Sequence, residues 1–515
     1  MVARDAGAVA GRPAPWSAGL RRVVREGRRA ATALLTLVLV LTTTGWVTAE
    51  HRPGAGASPR PIGAEAWERD TSVPGGLPPL DAPPAAVGDF FAGLPLPRQR
   101  ALAERYPGVV GNLPGVPLEL RTVANELAIR ATRRQAERTA SDGSASATER
   151  RQAAELAERC AALLADGRRY LAFDPRGRGL VAEVLGDPES AEHLTVLVPG
   201  NDTDLASYVA DARAGRRGLA ADARALHAEQ RRLAPAAGVA VVAWAGYLTP
   251  DGLGADAATG TLARAGAARL EREVAGLLAA RQGAAGGAER PVHLTAICHS
   301  YGAVVCGLAA GRLDGVDDIV AVAAPGMRAD TVAGLGTDAR VWAMRSADDW
   351  IRLVPHLRLG DLGHGADPMA DAFGARRLSS AGAEGHDGYA APGGVALTNL
   401  ALVAVGQGAR TTAPGFPATA QGNPATAQGS PATAQGNPAT AQGSPATAQG
   451  SPAAAPGSDA EDRATRARTA LAHPPRAERA TAGAGARARD HARSTENFTT
   501  PAHAWRAPSL TVVDR

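Results

Sequence analysis

The chain has 515 residues, with 55 basic side chains against 51 acidic and a formal net charge of +4. Every basic residue is arginine, which excludes P-loop, Schiff-base and Ser–Lys chemistries, since each needs a lysine amine. The 60 Gly and 37 Pro point to linker somewhere in the chain, while an apolar fraction of 45% is enough for an ordinary core.

In chain order, Arg21, Arg22, Arg25, Arg28 and Arg29 precede an uncharged run from Ala30 to Ala49. A basic region, an apolar centre and a small-x-small end make residues 1–49 a secretory signal, or an uncleaved single-span anchor. Either way the rest of the chain is expected outside the cytoplasm, secreted or at the cell envelope. Residues 50–88, rich in Pro, Gly and Ala, read as a flexible linker. Residues 89–167 read as a helical lead-in. Its apolar stripes are Leu120, Val123 and Leu127, with Ile129 just off the line, and Leu156, Cys160, Leu163 and Leu164.

From residue 168 to 408 strands and helices alternate. Apolar runs at Gly179–Leu185, Leu194–Val198, Val239–Trp244, Val292–Ile297, Asp318–Ala323 and Arg340–Met344 predict strands. Helices are predicted at Arg216–Leu233, Thr261–Arg281, Tyr301–Arg312, Ala329–Leu335 and Val395–Val405, with a further short strand at Arg376–Ser379. This order predicts an α/β fold, a mostly parallel sheet with helices on both faces. Residues 409–458 carry Pro-Ala-Thr-Ala-Gln-Gly heptapeptide repeats. They have no large apolar residue to bury, so they read as a disordered spacer rather than a coiled coil. Residues 459–515, rich in Arg and Ala, read as disordered too, with Trp505 and Leu510–Val513 as a candidate docking element.

The three cysteines, Cys160, Cys298 and Cys306, make no metal site or disulfide framework by spacing. Cys298 and Cys306 are close in sequence but are read as separate buried thiols. Asp202, Asp204 and Asp211 do not form a calcium-loop pattern, so neither metal nor cofactor is expected.

The most informative segment is Cys298-His299-Ser300-Tyr301-Gly302, between a predicted strand and a predicted apolar helix. Strand, sharp turn with serine, then helix is the setting of a nucleophile elbow. A serine nucleophile needs a base, an orienting acid and an oxyanion hole. In this fold the acid and then the base follow the serine in the chain. Asp349, which opens Asp-Trp-Ile-Arg-Leu-Val-Pro, is favoured over its neighbour Asp348 as the acid. His386, in a loop ahead of the last helix, is favoured over His364 and His356 as the base. The oxyanion donors are expected to be the N–H of Tyr301 and one from Gly200 or Asn201, at the end of an early strand.

The same residues resemble the actinobacterial α/β-hydrolase family long listed as a domain of unknown function. The resemblance covers roughly residues 90–406. It rests on Arg105-Tyr106-Pro107-Gly108 through Pro117, Arg121, Ala124-Asn125, Val196 to Gly200, Trp244 to Tyr247 with Pro250, His299 to Gly302, Asp349, Phe373 to Arg376, and His386 with Tyr389. It implies an α/β-hydrolase fold and a triad of Ser300, Asp349 and His386. Cys298 and Thr249 depart from the family pattern.

The expected function is hydrolysis of an acyl ester, small or lipid-like, through an acyl-enzyme. The alternatives are a catalytically degenerate envelope binding or scaffold protein, and a peptidase of the same fold. The pI of 9.3 could suggest a nucleic-acid partner. The charge lies elsewhere: residues 1–29 hold seven Arg against two acids, and residues 459–515 hold ten Arg against seven acids. The intervening chain is mildly acidic, so no nucleic-acid partner is expected. Membrane contact is expected through the N-terminal segment if it is not cleaved.

Overall fold

The computed structural model describes residues 60–165, 167–210, 218–284 and 291–414. The expected signal or anchor, the repeats and the Arg- and Ala-rich tail lie outside the described residues.

The lead-in contains α1 (Ala64–Glu68), α2 (Pro84–Ala92), α3 (Leu96–Arg105), α4 (Pro107–Val110), α5 (Leu118–Ser141) and α6 (Ala147–Leu163). The expected linker at 50–88 therefore needs correction over its described part. Trp67 is fully buried among Val87, Phe91, Tyr106 and Val109, and its indole N–H donates to the Pro78 carbonyl at 2.8 Å. Pro84, one of the prolines that suggested a tether, instead opens α2, where a missing N–H costs nothing. α6 begins with a capping box in which the Ser146 side chain accepts from the Glu149 N–H and Glu149 accepts from the Ser146 N–H. The first apolar stripe is rotated from expectation. Val123 is exposed, while Leu120, Arg121, Ala124, Asn125 and Ile129 are buried.

The sheet comprises β1 (Arg169–Asp174), β2 (Leu180–Leu185), β3 (His193–Val198), β4 (Val239–Ala245), β5 (His293–His299), β6 (Asp318–Val322), β7 (Arg340–Met344) and a last short edge strand. Between β3 and β4 lie α7 (Leu205–Ala210) and α8 (Leu219–Leu233). α9 (Ala255–Ala258) and α10 (Thr261–Ala284) precede β5, and α11 (Tyr301–Ala309) follows it. A small hairpin, β8 (Arg358–Leu359) and β9 (Leu362–Gly363), precedes the edge strand β10 (Arg376–Arg377), and α12 (Val395–Ala404) closes the domain. The order is β1-β2-β4-β3-β5-β6-β7-β10. The β1–β2 and β2–β4 pairs are antiparallel and the rest parallel. This is the α/β-hydrolase fold.

β4 is buried along its whole length, as a central strand covered on both faces must be. One face packs on α10 and α11 through Leu270, Leu277, Val304 and Val305. The other packs on α8 and α12 through Leu226, Leu400 and Val403. Several elements differ from expectation, α7, α9 and the β8–β9 hairpin among them. β1 is an additional strand, its four apolar residues too short a run between arginines to stand out. The helix expected at Ala329–Leu335 is only a 3₁₀ turn at Ala333–Leu335, ended by Gly336 with φ 64°.

The lead-in is fastened to the sheet by buried polar groups. Arg121 is fully buried and meets the Glu273 carboxylate of α10 with two hydrogen bonds of 3.0 Å. The Asn125 amide donates to the Tyr170 carbonyl at 2.9 Å, and Asn112 pairs with the Phe173 backbone through two bonds of 3.0 Å. These anchors bring three of the lead-in positions behind the family resemblance against β1 and α10.

Candidate active site

β5 runs into Ser300, whose backbone turns to φ 55°, ψ −123° before α11 starts. A non-glycine residue with positive φ is strained by about 1–3 kcal/mol and persists only where its surroundings fix it. Here they do. The Ser300 N–H donates to the Val322 carbonyl of β6 at 2.9 Å. Two residues on, a Cβ at Gly302 would sit 2.5 Å from the Val198 carbonyl oxygen, so only glycine lets the helix approach β3 this closely. On the other side Cys298 is bonded to Cys306 of α11, with Cα atoms 6.4 Å apart. This corrects the expectation of two separate thiols. Eight residues of strand, turn and helix bring the two side chains back together, a proximity that depends on the elbow itself.

His386 lies on the loop before α12. Its Nε2 is 2.9 Å from Ser300 Oγ, and its Nδ1 is 2.9 Å from Asp349 Oδ1. Asp349 follows β7 and is fully buried. Burial alone would raise its pKa, but hydrogen bonds from His386, the Tyr389 hydroxyl (2.6 Å) and the Ile351 N–H (2.9 Å) outweigh it and hold the carboxylate below its ordinary value. Asp348 faces outward and does different work. It accepts from the Ser346 hydroxyl and, at 2.9 Å, from the Gly385 N–H, one residue ahead of His386.

The rival histidines are held elsewhere. His364 is buried with Nε2 2.8 Å from the Ala257 carbonyl, and its ring stands perpendicular to that of Tyr301. His356 has Nδ1 3.0 Å from the Pro325 carbonyl.

The expected oxyanion groups border the same serine. Tyr301 is the first residue of α11, so its N–H has no acceptor within the helix. Its side chain points away, the hydroxyl donating to the Thr259 carbonyl at 2.6 Å. Gly200 lies so close that a Cβ there would be 2.5 Å from the Ser300 Cβ. The Asn201 side chain is used structurally, donating to the Gly252 carbonyl at 2.7 Å. Thr249, one of the departures from the family pattern, donates to the Thr203 carbonyl at 2.9 Å and steadies the same loop.

A cavity of about 870 Å³ opens over Ser300. Leu197, Leu226, Ile297, Val322 and Leu400 give it an apolar floor, while Asn201, Asp202 and Glu384 place polar groups in its wall.

Three side chains at the site had not been singled out as site residues. His299 precedes Ser300 and meets the His386 carbonyl through Nε2 at 2.7 Å, so that nitrogen carries the proton. Burial, and then the neighbouring His386, push its pKa down to about 4, leaving a neutral ring at pH 7. Tyr389, quoted only as part of the resemblance, holds Asp349. Trp350, next to the acid in sequence, lays its ring 4.7 Å from that of His386. Adjacency to Ser300 and Asp349 in the chain was the signal available for His299 and Trp350.

A sheet of this order, with a serine elbow after β5 and acid and histidine loops after β7 and before α12, defines an α/β-hydrolase. The family model described as Alpha/beta hydrolase matches residues 174–359 of the chain. An uncharacterized protein of Mycobacterium tuberculosis is 30% identical over 279 residues, which cover 48% of this chain and 40% of the relative. The chain thus spans less than half the length of that relative. An uncharacterized Mycobacterium bovis protein is 33% identical over 173 residues, covering 32% of this chain and 59% of its own length. Among solved structures, a truncated carbohydrate esterase from gut microbiota aligns over 45% of this chain and 91% of its own, at 10% identity and a TM-score of 0.27. Est1E from Butyrivibrio proteoclasticus aligns over 47% and 97%, at 13% identity and a TM-score of 0.25.

Proposed function

We propose that the protein is a serine hydrolase that cleaves an acyl ester outside the cytoplasm. The observation that carries this reading is the continuous hydrogen-bonded line from Ser300 Oγ through His386 to the buried Asp349, each link 2.9 Å long. Ser300 Oγ attacks the ester carbonyl while His386 Nε2 takes its proton. The N–H groups of Tyr301 and of the Gly200–Asn201 loop stabilise the oxyanion. As the C–O bond breaks, His386 gives the proton to the departing alcohol and leaves an acyl-Ser300. Water then attacks the acyl carbon, His386 takes its proton and returns one to Ser300, and the acid is released. Asp349 stays ionised and orients the imidazole throughout.

The apolar floor of the cavity suits an acyl chain, and its polar wall suits an alcohol. The Cys298–Cys306 bond supports an extracytoplasmic setting, since disulfides persist in oxidising compartments. A fluorophosphonate probe tests the reading: Ser300 becomes covalently labelled and Ser300→Ala protein does not. Folded wild-type protein that resists the probe, and cleaves no short p-nitrophenyl ester, would refute it and favour a binding role. Matched ester and amide substrates then separate esterase from peptidase.

A further inference from the structure

Among the described residues, eight large apolar side chains are exposed, and five of them crowd one region. Leu253 is 62% exposed, Trp350 40%, Leu353 75%, Leu357 43% and Leu359 75%. Leu253 and Trp350 line the mouth of the cavity over Ser300. Trp350 and Leu353 are three residues apart on one turn of 3₁₀ helix, and so point the same way. Leu357 immediately precedes the β8–β9 hairpin and Leu359 lies within it. That hairpin is tied to the segment after Leu253 by a bridge between Thr259 and Leu362. Soluble domains scatter such residues singly, and a contiguous group beside a cavity marks a contact surface.

Arg352 and Arg358 stand among these leucines. Their side chains bond to backbone carbonyls, of Ala347 and Arg328 respectively, and among the described residues neither forms an ion pair with a carboxylate. Apolar side chains interspersed with cations match the acyl and headgroup layers of an anionic bilayer. Glu384 and Asp387 line the same mouth on the His386 loop, which confines the contact to the Leu353–Leu359 side.

The chain leading into the domain gives a second argument. The Arg60 carbonyl accepts from Arg176 at 2.6 Å, just beyond the end of β1. Asp174 of β1 pairs with Leu180, Val181 of β2 with Ala245 at the end of β4, and Val198 of β3 with Cys298 of β5. Arg60 therefore enters at the same end of the sheet as Ser300 and the leucine rim. Ten residues separate it from the uncharged run ending at Ala49, a span of about 35 Å at full extension. A bilayer holding that run would lie within reach of the rim.

We propose that this rim docks on an anionic lipid bilayer and that the site draws its acyl ester from the lipid. The substrate class rests on the reading of Ser300 as nucleophile, whereas the docking does not. The test uses the full chain in phosphatidylcholine–phosphatidylglycerol vesicles. Cys298 and Cys306 are bonded and Cys160 is fully buried, so an introduced surface cysteine is the reactive thiol. Leu353→Cys and Leu359→Cys carry an environment-sensitive dye, and Asp338→Cys, on the exposed loop ahead of β7, is the control. Nitroxide-labelled lipid quenches the dye at 353 and 359 and leaves 338 bright. Equal quenching at all three positions, or none at 353 and 359, overturns the docking whether or not the protein is an esterase. In a second arm, Leu353→Asp/Leu359→Asp keeps fluorophosphonate labelling and cleavage of a soluble short ester, and loses roughly tenfold of its rate on a vesicle-borne ester. An unchanged rate on the vesicle ester overturns the lipid-derived substrate, and parallel loss on both esters overturns it equally.

Discussion

Tyr389→Phe removes one oxygen that serves two partners. The hydroxyl donates to Asp349 Oδ2 at 2.6 Å and accepts from the Ser346 N–H at 2.8 Å. Tyr389 is 3% exposed and Asp349 fully buried, so water has little access to replace it. A hydrogen bond to a charged group contributes about 1.5–3 kcal/mol, and a buried N–H left unpaired costs about 1–3 kcal/mol. The two losses overlap, because both follow from one deletion, and a total of about 3 kcal/mol is expected at pH 7. They separate by pH. The Asp349 carboxyl is held below its ordinary value of 3.8. Its contribution is therefore present above that value and is lost as pH falls through the lower native pKa. Phenylalanine removes one of the bonds holding it down, so the variant gains less from ionising Asp349. The gap between wild type and variant should narrow as pH falls below 3.8, leaving only the pH-independent share from Ser346. Urea unfolding of both proteins along a pH series measures this. A gap under about 0.5 kcal/mol at pH 7, or one that widens toward acid, would refute the assignment of the hydroxyl to the ionised carboxylate. The same variant should lose about tenfold in ester cleavage, as Asp349 loses part of its fixed orientation.

Further outcomes follow from other contacts. Gly200→Ala drives a Cβ against Ser300 and displaces the loop expected to bind the oxyanion, so kcat should fall about a hundredfold, and the overpacking should also lower the thermal midpoint. A rate within twofold of wild type would remove that loop from the oxyanion site. Removing both Cys298 and Cys306, each as Ala, opens a short covalent loop and should cost about 2.5 kcal/mol in urea unfolding. Unchanged unfolding would show that the bond does not constrain the unfolded chain. Arg121→Ala strands the buried Glu273 carboxylate and should cost about 3–5 kcal/mol, whereas Arg121→Met/Glu273→Leu should recover most of that. A double variant no more stable than the single one would refute the uncompensated-charge account.

Much of this site was legible because an α/β-hydrolase orders its parts along the chain. Ser300, Asp349 and His386 each stand just past a strand or just ahead of a helix, and their apolar neighbours mark those boundaries. The choice between Asp348 and Asp349 needed three dimensions. Both follow β7, but one faces solvent and binds Gly385, and the other is buried under Tyr389. The disulfide was hidden for a related reason. A spacing of eight says nothing about proximity until the strand-turn-helix path is known, and a small residue at 298 was explanation enough for a cysteine. The lead-in beginning at residue 60 misled through composition, since prolines that open short helices and prolines in a tether look alike without the apolar contacts of Trp67.

The contacts around Ser300 explain why a strained turn can persist there. Its positive φ carries a cost of about 1–3 kcal/mol, set against a loop-closure contribution of about 2.5 kcal/mol from the Cys298–Cys306 bond. The Gly302 approach to Val198 and the Ser300 bond to Val322 fix the same turn from β3 and β6. The His386 loop is held differently, by single hydrogen bonds: Gly385 to Asp348, and the His386 carbonyl to His299. Ser300 is thus built into the sheet, while His386 is presented by a loop that depends on its neighbours. His299 joins the two. It belongs to the strand-to-helix turn and bonds the backbone of His386, so the distance from Ser300 Oγ to His386 Nε2 is set partly by a residue adjacent to Ser300 in the chain.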